Sequence, residues 1–131
     1  MQFARVVFTI AGIWGVLVIT PLLFLFHKVG QMAPPPVTHA EFYFGFVIVT
    51  LMWQIAFFII ARDPARFRAM MIPPALAKFG YAALIAVLHL NGMVSASQIL
   101  FATADLILGI LFLIAFNRTR ASTINHHLRR Y

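Results

Sequence analysis

A single aspartate interrupts the stretch "FATADLILG" (residues 101–109), and from Ile99 to Phe116 Asp105 is the only charged side chain. It lies seven residues past Gln98, which at 1.5 Å per residue puts it about 10 Å below the outer boundary of an apolar helix. A lipid-exposed acid at that depth costs roughly 2.5–3.5 kcal/mol on insertion scales, so it is expected to face other helices or water. Gln98, Ala102, Asp105 and Gly109 follow one another at spacings of four, three and four. They form a narrow stripe whose small residues allow a neighbouring helix to come close. Such an acid has three uses: a proton or cation site, a polar anchor for a small ligand, or a hydrogen-bonded group that fixes helix packing.

The same depth count on the other apolar segments falls near Thr20 and Pro21, near Thr50 with Gln54 one turn deeper, and near Tyr81. Proline at 21 also leaves the Leu17 carbonyl without its usual helical donor. Asp105, Tyr81, Thr50, Gln54 and Thr20 are therefore the candidate members of a polar layer drawn from four helices. Lys78 is the nearest cation, but the count leaves an axial gap of about 10 Å to Asp105. It is expected instead to extend its stem to lipid phosphates.

His27, His39, Glu41 and His89 belong to the outer ends of three segments. Imidazoles and a carboxylate suit zinc or another transition metal only if those ends converge. No HExxH-type spacing is present, so a metal site, or bis-histidine haem through His27 and His89, is not expected. His126 and His127 sit in a basic tail and need no special role. Trp14 and Trp53 lie deep in their segments; a quinone or isoprenoid suits such walls, and so does ordinary helix packing. GxSxG, P-loop and dinucleotide motifs are absent, as are paired intramembrane carboxylates. These observations lean away from an enzyme, and they suggest no cofactor beyond a lipid or quinone.

What must position these groups is a membrane domain. Of 131 residues, 63% are hydrophobic and 10% charged, against about 45–50% and 25% in soluble domains. The expected fold is all-α and polytopic, a single membrane domain (1–131) built as a four-transmembrane-helix bundle. Its spans run near 3–26, 42–61, 74–90 and 98–116, and a basic tail covers 117–131. The first apolar run exceeds the roughly 7–15 residues of a signal-peptide core, so it reads as a retained span. There are no cysteines, which removes disulfides, thiolate metal sites and cysteine nucleophiles.

The net charge is +7, but it sits at the edges of apolar blocks and no nucleic-acid module accompanies it. Arg5 precedes span one; Arg62, Arg66 and Arg68 join spans two and three; Arg118, Arg120, Arg129 and Arg130 follow span four. The other two loops hold only Lys28. The positive-inside rule then places both termini in the cytoplasm, with Arg62, Arg66, Arg68, Lys78, Arg118 and Arg120 against anionic lipid.

Boundary signals agree. "THAEF" offers Thr38 and Glu41 as a capping box for span two, and "SASQ" offers Ser95 and Gln98 for span four. "RDPARFRAMMIPP" begins with a helix-start signal at Asp63–Pro64 and suggests a surface helix with Phe67, Met70 and Met71 toward lipid. "APPP" (33–36) reads as an extended, exposed linker. Ala11 and Gly15 on span one invite helix contacts.

The stretches "ARVVFTIAGIWG", "RDPARFRAMMIPPALAKFGY" and "ADLILGILFLIAF" resemble those of small four-span bacterial inner-membrane proteins. The likeness implies a bacterial cytoplasmic-membrane location and transfers no activity. The layout is also similar to the DoxX-like group, which implies a link to quinones or to a partner oxidoreductase and assigns no site residue. Three functions follow as expectations. The first is a non-catalytic accessory or lipid- or quinone-binding subunit, as a homo-oligomer or in a larger complex. The second is a proton- or cation-coupled transporter component using Asp105. The third is a quinone-linked redox protein.

Overall fold

The computed structural model describes residues 1–128, with side chains through Thr119. Its helices are α1 (Gln2–Ile19), α2 (Phe26–Met32), α3 (Ala40–Arg62), α4 (Ile72–Leu90) and α5 (Ala96–Leu128), with 3₁₀ turns at Thr20–Phe24 and Arg68–Met71. No strand occurs among the described residues. Four segments are long and apolar enough to cross a membrane: Gln2–Phe24, Ala40–Arg62, Arg68–Leu90 and Ala96–Thr119. The chain is thus an all-α, multi-pass membrane protein.

Span one breaks where Pro21 lacks an N–H. The α-helix stops at Ile19 and the chain tightens into the 3₁₀ turn, where the Tyr43 hydroxyl donates to the Leu22 carbonyl at 2.7 Å. Helix α3 starts one residue later than the capping box requires. His39 is its N-cap, without a side-chain cap bond, and Glu41 pairs with His39 rather than reaching back to Thr38. Ser95 likewise turns to Ser97, at 2.7 Å between their hydroxyl oxygens.

The α4–α5 connection is set by Asn91–Gly92. Gly92 has φ +69°, its N–H bonds the His89 carbonyl, and the Met93 N–H bonds the Leu88 carbonyl. This is a Schellman ending, in which glycine takes the left-handed position at no steric cost.

Helix α1 packs on α3 and on α5, and α5 packs on α4. The core that joins all four spans lies at one end, the end bearing Arg5, Arg62, Arg66, Arg68 and Arg118, called here the arginine end. Phe8 stacks on Phe112 with ring centroids 4.4 Å apart, and Phe57 meets both edge-on at 5.8 and 5.3 Å. Ala4, Ala11, Ala75 and Ala115 bring the backbones close around these rings, with Ile60, Ala61 and Met71 filling between. Met71 is fully buried there and does not face lipid, because the Arg68–Met71 turn feeds straight into α4 and points this side chain inward. Met70 is 45% exposed, and Phe67 packs at the core's edge.

The far half is different. No residue of α1 beyond Gly12 is buried, and the buried apolar side chains there are Val47, Ile85 and Ala102. Across the spans only 22–28% of each apolar window is buried, so most of every helix faces lipid or another chain.

Candidate functional site

Asp105 is positioned by the small residues around it. One turn along α5, Gly109 lies so close to α4 that a Cβ there would be 3.2 Å from the Lys78 Cβ and 3.3 Å from the Phe79 ring. Lys78 therefore leaves its helix level with Gly109, four residues or about 6 Å from Asp105. Its stem covers that distance, and Nζ donates to Asp105 Oδ1. Each side chain is 23% exposed, and the pair places no net charge in the span. The Lys78 stem thus runs to Asp105 rather than to the span end. The 10 Å estimate counted each residue from its own segment end, whereas the actual register is set by the tight Asn91–Gly92 turn. Tyr81, one turn beyond Lys78 and half-buried, is within electrostatic reach of Asp105. Ala102 and Gly109 are buried and Gln98 and Asp105 half-buried, as expected of a packed stripe.

The second polar group lies between α1 and α3. Gln54 is 5% exposed, and its Nε2 donates to the Thr50 carbonyl at 2.8 Å. Its Oε1 is buried with no hydrogen-bond partner. A Cβ at Gly15 would overlap this amide, so the glycine hydrogen occupying that direction meets Oε1. This is the Cα–H···O contact typical of close helix pairs. Gly15 is thus needed because the Gln54 amide fills the space a side chain would take.

The two groups share a level without forming one layer. Gly15 is seven residues past Phe8 and Asp105 seven before Phe112, so both stand about 10 Å beyond the stacked rings, toward the far end. Among the described residues, however, no hydrogen bond joins Gln54 or Thr50 to Lys78, Tyr81 or Asp105. Thr20 stands further along, in the 3₁₀ turn. The expected four-helix layer is two separate polar pairs, each inside one helical hairpin.

The far-end histidines do not converge. His39 pairs with Glu41 at 3.4 Å, both 69% exposed, while His89 Nδ1 donates to the Val94 carbonyl at 3.2 Å. His27 packs against the neighbouring Phe26 ring. Among the described residues no three His, Asp or Glu side chains gather as a metal requires. Trp14 is 50% exposed on the outer surface of α1, whereas Trp53 packs against the core.

The arginine end sorts its cations into two kinds. The Arg68 guanidinium lies 3.6 Å above the Phe116 ring centroid, and its Nε donates to the Phe116 carbonyl at 3.1 Å. Arg118 lies over Phe3 at 4.7 Å. Both are tied to protein faces through cation–π contacts. Arg62 and Arg66 instead line an open hollow of about 470 Å³ with Ile59, Asp63 and Phe67. The Arg120 side chain and residues 129–131, with Arg129 and Arg130, lie outside the described residues.

The aromatic cluster of Phe8, Phe57 and Phe112 escaped sequence reasoning, since nothing distinguishes these three among 14 phenylalanines. The Asn-Gly pair at 91–92 did carry a turn signal. Chemically, the mid-span site offers a hydrogen-bonded Lys–Asp ion pair and an amide, with no second carboxylate beside them among the described residues. No family model, curated protein or solved structure matches the chain. The class that fold and site define is a four-span membrane protein with a charge-neutral ion pair at mid-span.

Proposed function

We propose that the chain is a non-catalytic accessory subunit of a membrane assembly that holds a lipophilic molecule, a lipid or a quinone. We place it in the bacterial cytoplasmic membrane with both termini in the cytoplasm. The observation that carries this reading is the one-ended core. Four spans are joined by packing at the arginine end, while the far half presents apolar walls that the chain itself does not fill. These walls include Ile13, Trp14 and Leu17 on α1, which are 49%, 50% and 66% exposed. They also include a groove of about 150 Å³ between α4 and α5, lined by apolar side chains such as Ile85, Ile99 and Leu106 together with Thr103. Apolar surface of this extent, next to helices that bury so little of one another, suits an acyl or isoprenoid chain or a further helix packed by van der Waals contact. Native mass spectrometry from membranes in mild detergent tests it. A retained partner, second copy or lipid-like molecule is expected; a bare monomer would overturn it.

The Lys78–Asp105 pair favours a second reading, a proton-coupled transporter component. With Lys78 already on the carboxylate, a metal cation must displace an ammonium, whereas a proton need only pass between Nζ and Oδ1. Proteoliposomes carrying Asp105→Asn should then insert normally and lose proton-coupled flux. Unchanged flux would remove this reading.

A further inference from the structure

The hollow at Arg62 and Arg66 has features that the other basic positions lack. Arg62 ends α3, and the chain turns at once: the Arg66 N–H donates to Asp63 Oδ1 and the Phe67 N–H to the Asp63 carbonyl, both at 3.1 Å. Pro64 within that turn is fully buried. The two arginine-bearing positions are therefore held at a fixed separation by packed and hydrogen-bonded backbone. Neither guanidinium has a carboxylate partner among the described residues. Arg66 lies 5.5 Å from the centroid of the Phe67 ring and is exposed.

From this arrangement we infer that Arg62 and Arg66 form a discrete site for a singly charged phosphodiester, the headgroup of an anionic phospholipid. Two guanidiniums and the Asp63 carboxylate give the hollow a net charge of one positive unit, matching a phosphodiester. Guanidinium forks bind phosphate oxygens in pairs, a geometry a lysine ammonium does not reproduce. Ile59 lies one turn deeper in the span than Arg62 and is 48% exposed. The wall thus runs from apolar to cationic in the order that an acyl chain and its headgroup would meet it. That polarity points to a lipid rather than free phosphate as the source of the anion. The site lies at the opposite end of the bundle from the unfilled walls, and it stands or falls separately from the function proposed above.

The test uses the full chain purified from vesicles of phosphatidylcholine mixed with phosphatidylglycerol, with retained lipid read by native mass spectrometry. Wild type should keep one phosphatidylglycerol in preference to phosphatidylcholine. Loss of the paired guanidinium contacts in R62K/R66K should weaken retention by about tenfold or more. This variant keeps the loop's positive charge, so the orientation signal is preserved, and a cooperative unfolding transition like wild type's confirms folding. R5Q, at the same end, should retain the lipid as wild type does. Equal loss in R5Q, or full retention in R62K/R66K, would overturn the site. If millimolar inorganic phosphate displaces the lipid from wild type, the site is one for a free anion and the lipid assignment fails.

Discussion

The Lys78–Asp105 pair gives the sharpest prediction, because removing one partner and removing both have opposite consequences. Breaking a buried ion pair costs about 3–5 kcal/mol, since the remaining charge is left uncompensated. A lone charge at the centre of a span costs roughly 2.5–3.5 kcal/mol on insertion scales. Each side chain here keeps 23% of its surface, which reduces the penalty, and about 2–4 kcal/mol is expected for either single variant. Lys78→Met should be the worse of the two. The orphaned carboxylate has too short a stem to leave its depth, whereas in Asp105→Leu the lysine stem can extend toward the arginine end. Replacing both, as Lys78→Met with Asp105→Leu, removes two charges and fills the space with apolar atoms, and it should fall within about 1 kcal/mol of wild type. Unfolding by SDS titration from mild detergent micelles, followed by circular dichroism, measures all four proteins. The resulting double-mutant cycle should give a coupling of about 2 kcal/mol or more. Two results would refute the reasoning: single variants as stable as wild type, or a double variant whose loss equals the sum of the singles.

Three further outcomes are expected in the same assay. Gly15→Ala places a methyl where the Gln54 amide sits, so Gln54 must turn away and give up its bond to Thr50. The loss should be about 1–3 kcal/mol and should shrink when Gln54→Ala is added; a neutral Gly15→Ala would contradict the close α1–α3 approach. Phe112→Ala deletes a fully buried ring stacked on Phe8, for an expected cost of about 3–5 kcal/mol. A loss below about 1 kcal/mol would mean that the four spans are not joined at that end. Tyr43→Phe removes the donor to the Leu22 carbonyl and should cost about 1–3 kcal/mol, with faster amide exchange confined to the residues around the Pro21 break.

The spans were legible because bilayer thickness translates directly into a count of apolar residues, and Pro21 announced its own break. The stripe of Ala102, Asp105 and Gly109 was legible for a similar reason: spacing on one helix decides which side chains share a face. What failed was anything that depends on register between helices. The partner of Asp105 follows from how Asn91–Gly92 turns the chain, and a shift of one helical turn separates lipid contact from ion pairing for Lys78. The pattern before span three reads as an amphipathic surface helix with Met71 toward lipid, whereas a 3₁₀ turn leads directly into α4 and buries that side chain. The polar layer was expected from equal depths, and the depths do agree. Depth, however, says nothing about which way each helix is rotated, and rotation separates Gln54 from Asp105.

That separation has a consequence for how the bundle holds together. In the spans, Lys78 and Asp105 cancel each other within the α4–α5 hairpin, and the Gln54 amide is engaged within α1 and α3. Each hairpin thus keeps its costly polar groups within itself, although Gln54 Oε1 has only the Gly15 Cα–H against it. What then joins the hairpins in the far half is weak, since the rings and alanines that bridge α1 to α5 are concentrated at the arginine end. Dispersion contacts of that kind are strong in sum but carry little directional preference. A change in the angle between hairpins, pivoting about Phe8 and Phe112, would break no hydrogen bond or ion pair among the described residues of the far half. The apolar walls there can therefore be fitted to an acyl chain, an isoprenoid or a neighbouring helix at little cost in polar contacts. Placing the ion pair inside one hairpin, rather than across the two, is what leaves that adjustment free.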